Sequence, residues 1–290
     1  MHRVLKYLFF MLFISCVSQG PGTGKKIITV SIPPFKYFVE AIGGTDFDVN
    51  VMVPAGANPH IYEPVPGQIS ALRKSVAFIS DGYLGFEMTW LDRFYEANRN
   101  MKKLSLGDNI DLIKPAGHPG NGHIEGADPH YWVSPKCAKA MALSIKNLLC
   151  ELEPGSRERY EQNYSKLLET ISVIDIRARE LFNGFQGRSF MVFHPTLGYL
   201  ARDYELNQIA IENEGKEPTP STLKNLIDIS RTKNIKVIFI QREYDTKNAG
   251  AIASETGAVI VAIDPLSENW PVEMMQIINA IHKSLIESGN

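Results

Sequence analysis

The chain has 290 residues, 44% of them apolar and 21% charged, an ordinary globular composition with ample material for a core. That composition excludes disordered, collagen-like and disulfide-scaffold chains, and a formal net charge of -2 gives no basic excess to mark a nucleic-acid binder. Seven histidines and three cysteines are too few for an array of zinc fingers.

Residues 1–20 read MHRVLKYLFFMLFISCVSQG. Arg3 and Lys6 give a positive start, and Leu8 to Ile14 is an apolar run shorter than the ~20 residues of a membrane span. This is the pattern of a secretory signal peptide. Cys16 follows Ile14 and Ser15, as in lipoprotein signals that are cut before a cysteine which is then lipidated. Cleavage near Ser18 without a lipid is the alternative. Either way the folded body is expected outside the cytoplasm, periplasmic or membrane-anchored. Gly20 to Lys26 resembles a phosphate-binding loop but has Gln19 and Lys26 where the motif wants Gly and Ser or Thr. A strand follows it where a helix is needed, so it reads as a flexible linker.

Eight short strands are predicted from β-branched runs bounded by turn residues. They are Ile27–Ile32, Phe47–Val53, Val76–Ile79 and Lys103–Leu106, then Phe190–Phe193, Gln208–Ile211, Lys236–Ile240 and Ala258–Ile263. Helix-length segments separate them, which implies an α/β fold. The expectation is two lobes, each a four-stranded, mainly parallel sheet flanked by helices. A repeat supports the division: Glu63-Pro64-Val65-Pro66 and Glu217-Pro218-Thr219-Pro220 each lead into a helical pattern and then a strand. Between the halves, Ser156 to Phe182 has no Gly or Pro, and Tyr160, Tyr164, Leu167, Ile171, Ile174, Ala178 and Leu181 form one apolar stripe. This predicts a single helix of roughly 40 Å joining the lobes. The expected boundaries are 21–153 for the N-terminal lobe, 154–184 for the connecting helix and 185–290 for the C-terminal lobe. Cys137 and Cys150 fall on one predicted helix, Ser134 to Leu152, roughly 20 Å apart, so they are expected to be buried free thiols.

His60, His130, His194 and Asp264 all lie just past predicted strands, two in each half. Ligands of open α/β sheets bind beyond the carboxyl ends of the strands, so these four can converge between the halves. Three imidazoles and a carboxylate suit a divalent transition metal, and a closed set of four favours carrying an ion over doing chemistry with it. A zinc hydrolase is the rival, but no His-Glu-x-x-His helix is present, and Pro64 and Pro66 break the His60-x-x-Glu63 spacing. His118 and His123 lie in a Gly-rich loop and His282 on the last helix, where all three read as surface residues.

Pro59-His60 with Tyr62-Glu63-Pro64, Asp128-Pro129-His130-Tyr131-Trp132, Phe193-His194-Pro195 with Gly198-Tyr199, and Ile263-Asp264-Pro265-Leu266 follow one another along the whole mature chain. In order and spacing they resemble the cluster A-I solute-binding proteins of zinc and manganese ABC transporters. The resemblance implies a bilobed, non-enzymatic protein that delivers a metal to a membrane permease, with ligands at His60, His130, His194 and Asp264. It also implies Zn2+ as the ion, because zinc members carry His and manganese members commonly Glu at the position of His194; Mn2+ is the alternative. Asp128 is a candidate to orient His130, and Glu63 and Glu217 to support the cleft or face the permease. The loop Lys114 to Ala127, with His118, His123 and Glu125, is much shorter in metal-binding residues than the His-rich loop of many zinc members. The expected form is a monomer, lipid-tethered through Cys16 or free; a surface adhesin is a further rival. Metal binding is expected to weaken near the ordinary histidine pKa of ~6.5.

Overall fold

Runs such as Ile27 to Val30 and Val76 to Ile79 are apolar at nearly every position, which suits strands covered on both faces. The computed structural model describes residues 24–114, 126–212, 218–244 and 247–289. The signal peptide, Cys16, His118, His123, Glu125 and Glu217 lie outside these residues.

The first four strands are β1 (Lys26–Val30), β2 (Phe47–Val51), β3 (Ser75–Ser80) and β4 (Lys102–Ser105), paired in parallel in the order β2-β1-β3-β4. The second four are β5 (Ser189–Val192), β6 (Asn207–Ala210), β7 (Val237–Gln241) and β8 (Val259–Ile263), in the order β6-β5-β7-β8 and again parallel. All eight predicted strands are present, with ends shifted by one or two residues, and the two sheets repeat one topology. In each, the order reverses beside the first strand, which opens a crevice at the carboxyl edge.

Nine helices are found among the described residues: α1 (Pro33–Gly43), α2 (Pro66–Lys74), α3 (Gly85–Ala97), α4 (Pro135–Leu152), α5 (Arg157–Phe182), α6 (Gly198–Asp203), α7 (Pro220–Thr232), α8 (Lys247–Thr256) and α9 (Trp270–Glu287). Proline opens both α2 and α7, where its missing N–H would have had no helical partner. The two helices occupy equivalent places before β3 and β7, so the Pro-x-Pro part of the repeat is a structural one.

The long helix α5 has 26 residues. Tyr160, Leu167, Ile171, Ile174, Ala178 and Phe182 are buried along one face, with Tyr164 and Leu181 half-buried at its margin. Gly184, at φ 84°, then turns the chain toward β5 in a conformation costly for other residues. The buried face packs on α1, α4 and α9. One apolar core therefore runs from β1 and α1 through α4, α5 and α9 to Phe190, Val192 and Phe239 of the second sheet. A smaller cluster, including Met191, Ile238, Ile240, Leu226 and Ile252, covers that sheet's other face. Cys137 and Cys150 are buried and free. His282 departs from expectation. It is half-buried, with Phe185 edge-on at 5.5 Å, because α9 turns that side of its C-terminal part toward the turn after α5. No helix among the described residues is long and apolar enough to cross a membrane.

Two buried indoles tie the halves together near the carboxyl edges. Trp132 Nε1 donates to the Pro265 carbonyl at 2.9 Å, and Trp270 Nε1 donates to the Trp132 carbonyl at 2.7 Å. The segment after His130 is thereby fixed against the segment after Asp264.

Candidate metal centre

His60 lies in the loop that leaves β2. Its backbone N–H donates to Asn58 Oδ1 at 2.8 Å, an Asx turn that sets the local bend. Gly85, opening α3, lies against its carbonyl: a Cβ there would sit 2.4 Å from the His60 oxygen, so only glycine allows the approach. His130 is held twice by Asp128, whose Oδ1 accepts from the His130 backbone N–H at 2.9 Å and from Nδ1 at 2.8 Å. Asp128 is fixed in turn, since Tyr199 Oη donates to its carbonyl at 2.6 Å and its own N–H donates to Ile113 at 3.0 Å. His194, two residues past β5, is buried; its Nδ1 lies 3.2 Å from Glu212 Oε2 and its ring stacks on Tyr244 at 4.8 Å. Gln241 Nε2 holds the His194 carbonyl at 2.8 Å.

A carboxylate beside Nδ1 keeps the proton there, which leaves Nε2 as a bare lone pair. The Nε2 atoms of the three histidines face one another. His60 Nε2 and His194 Nε2 are 3.0 Å apart, and His194 Nε2 and His130 Nε2 are 3.2 Å apart. The ligand atoms of all three residues lie within 4.8 Å of one another. Tetrahedral zinc, with bonds of ~2.0–2.1 Å to imidazole, would set its nitrogens roughly 3.3 Å apart, so the spacing fits that geometry. Burial, reinforced by His130 and His194, pushes the His60 pKa down to about 2. Burial also lowers His194, against the pull of Glu212. Burial thus favours the neutral, lone-pair form of His60 over the charged one.

Asp264 is the first residue past β8 and stands outside this cluster. Its backbone N–H donates to Glu273 Oε1 at 2.8 Å, and its Oδ2 is 3.6 Å from Arg242 Nη1. Glu63 is exposed on the loop beyond His60. Asp128 takes the orienting place expected of it, whereas the equivalent partner of His194, Glu212, was missed. Its signal was its position two residues past β6, at the edge where the histidines cluster. A second buried brace lies behind β3. Glu87 accepts from Ser31 Oγ and from the backbone N–H groups of Asp81 at 2.8 Å and Gly82 at 2.6 Å, which fixes the turn leaving that strand.

Residues 28–284 match the family described as zinc-uptake complex component A, periplasmic (ZnuA). The chain belongs to this family. Solved members agree in fold: a crystal structure of ZnuA is 37% identical, with a TM-score of 0.84 over 90% of this chain and 100% of that one. A zinc-bound ZnuA lacking its residues 138–173 is 38% identical, with a TM-score of 0.82 over 90% of this chain and 98% of that one. A manganese-bound periplasmic metal-binding protein of Candidatus Liberibacter asiaticus shares the fold at 22% identity, with a TM-score of 0.78 over 90% of this chain and 100% of that one. Among curated relatives, the zinc-binding lipoprotein AdcA of Streptococcus pneumoniae is 26% identical over 99% of this chain and 61% of its own length. The chain thus spans about three fifths of that relative. The family's members are components of metal uptake and not enzymes, which removes the hydrolase alternative.

Proposed function

We propose that the protein captures Zn2+ between its two sheets and delivers it to the permease of an ABC transporter. The observation that carries this reading is the convergence of three imidazoles, from both halves of the chain, at zinc-like separations. Asp264 would complete the set as fourth ligand by turning its carboxylate away from Arg242. Three nitrogens favour zinc over manganese, which prefers oxygen-rich sites. The zinc-bound relative at 38% identity supports the same choice over the manganese-bound neighbour at 22%. In this reading the lobes are residues 21–153 and 185–290, rocking about the helix of 154–184, and the ligands' origin in both lobes means that a small tilt imposed by the permease opens the site. The protein acts outside the cytoplasm as a monomer, free in the periplasm or tethered through a lipid on Cys16.

Simultaneous replacement His60→Ala, His130→Ala and His194→Ala tests the site. Calorimetric titration is expected to lose stoichiometric zinc binding while the circular dichroism stays near wild type. Tight binding by the triple variant would remove this site from consideration. Competition between zinc and manganese on the wild type, read by metal analysis, is expected to favour zinc.

A further inference from the structure

A cation already stands beside the carboxylate expected to be the fourth ligand. Arg242 Nη1 is 3.6 Å from Asp264 Oδ2, with the arginine side chain 70% exposed and the aspartate 25% exposed. Two more acids share the place. Glu243 follows Arg242 in the chain, and Glu273 in the first turn of α9 accepts from the Asp264 backbone. Both lie close enough to Asp264 to feel its charge, and Glu273 also feels Arg242. Three carboxylates crowded at one lip repel one another unless a positive charge joins them.

The segment bearing that charge is not a remote one. Gln241, at the end of β7, holds the His194 carbonyl, and Tyr244 stacks on the His194 ring. Arg242 lies between them. Its guanidinium is thus carried by a stretch whose two neighbours fix the third histidine, and it reaches across to the residue after β8.

We propose that Arg242 is a displaceable counter-cation for Asp264, neutralising the acidic lip before the metal arrives and yielding the carboxylate to the incoming ion. Arg242 then sets the affinity of the site without touching the metal. A long, mostly exposed arginine suits the task. It can swing to Glu273 or into water when a dication takes its partner, and an exposed pair of this kind is weak enough to be broken. A lysine would hold the same charge, whereas glutamine would leave Asp264 unpaired and open to the metal.

This inference rests on the metal site proposed above, and its test separates the two. Zinc affinity of the full chain is measured by competition with a chelating indicator in the wild type, R242Q, D264N and the double variant. Loss of an exposed competitor is expected to tighten zinc binding by about two- to fivefold in R242Q. D264N is expected to bind more weakly, and adding R242Q to it is expected to change nothing. R242K is expected to behave as wild type. Unchanged or weaker binding by R242Q would overturn the inference, as would an equal tightening in the D264N background, which would mean general repulsion of the ion. In either case, wild-type binding that still depends on the three histidines would leave the metal site standing. Zinc binding indifferent to the histidines would overturn both.

Discussion

At the scale of single residues, the site is a matter of which nitrogen faces inward. Imidazole has two, and an unsupported ring can present either. Asp128 and Glu212 remove that freedom for His130 and His194 by sitting at Nδ1, 2.8 Å and 3.2 Å away. Glu212 is buried, and its second oxygen, Oε1, has no hydrogen-bond partner among the described residues, so its carboxylate is held there at some cost in desolvation. Glu212→Gln keeps the shape but removes the charge that anchors the Nδ1 proton. Loss of such an orienting partner costs about 10–100-fold in metal affinity, and that is the expected weakening of zinc binding in a chelator competition. The folded state should persist, read by circular dichroism. An affinity unchanged by E212Q would mean that packing against Tyr244 alone orients the ring. The candidate ligands themselves were legible because histidine and aspartate at strand ends are visible one by one in the sequence. Glu212 was not, because an acid near a strand end has no local mark; it gains meaning only when β6 lies beside β5 and sets it against His194. Asp264 shows the converse limit. Sequence places it just past β8, but it does not reveal that Arg242 Nη1 stands 3.6 Å from its Oδ2, a neighbour that depends on the pairing of β7 with β8.

At the scale of elements, the strand pattern and the long helix were readable because each leaves its own period. Parallel strands covered on both faces give continuous apolar runs, and a stripe of period 3.6 is the mark of one buried helix face. What the stripe does not tell is how α5 is held. Asp175 sits on it and receives Lys139 Nζ from α4 at 3.1 Å, Tyr204 Oη from the residue after α6 at 2.9 Å, and Arg179 at 3.2 Å. One side chain therefore fastens the connecting helix to elements of both halves. Burial pushes the Asp175 pKa up, but Lys139, Tyr204 and Arg179 outweigh it and hold the carboxyl below its ordinary 3.8. A lowered folded pKa means that the unfolded chain binds the proton more readily. The stabilisation is therefore complete well above 3.8 and is lost as pH falls through the folded value. Asp175→Asn is expected to cost about 1.5–3 kcal/mol at pH 7 in urea denaturation, the usual worth of a charge-assisted hydrogen bond. The difference from wild type should shrink toward pH 3. A constant difference across that range would show that the side chain acts by shape and not by charge.

At the scale of the whole molecule, the question is whether two sheets make two cooperative units. A repeated topology suggests independent lobes, yet the core crosses between them. Phe38 of α1 packs on Trp270 of α9 at 5.2 Å, and α9 also packs on β5 and on α5. The indole bonds of Trp132 and Trp270 add polar ties at the base of the crevice. Unfolding either sheet alone would expose the shared faces of α5 and α9, which removes the advantage of leaving the other folded. Differential scanning calorimetry of the metal-free protein is therefore expected to give one transition. Zinc, if held by residues from both halves as proposed, should move that transition upward as a unit. At 100 times the dissociation constant the gain is about 2.7 kcal/mol by mass action alone, and the triple histidine variant should not show it. Two separate transitions, with zinc shifting only one, would mean that the halves fold independently and that the ion is held by one of them. A single transition that moves with zinc would mean one cooperative unit, within which the opening proposed above is a small rocking of packed bodies. That amplitude is sufficient, because ligand atoms 3.0 and 3.2 Å apart lose their common centre on a relative displacement of about one ångström, given bonds of only ~2.0–2.1 Å.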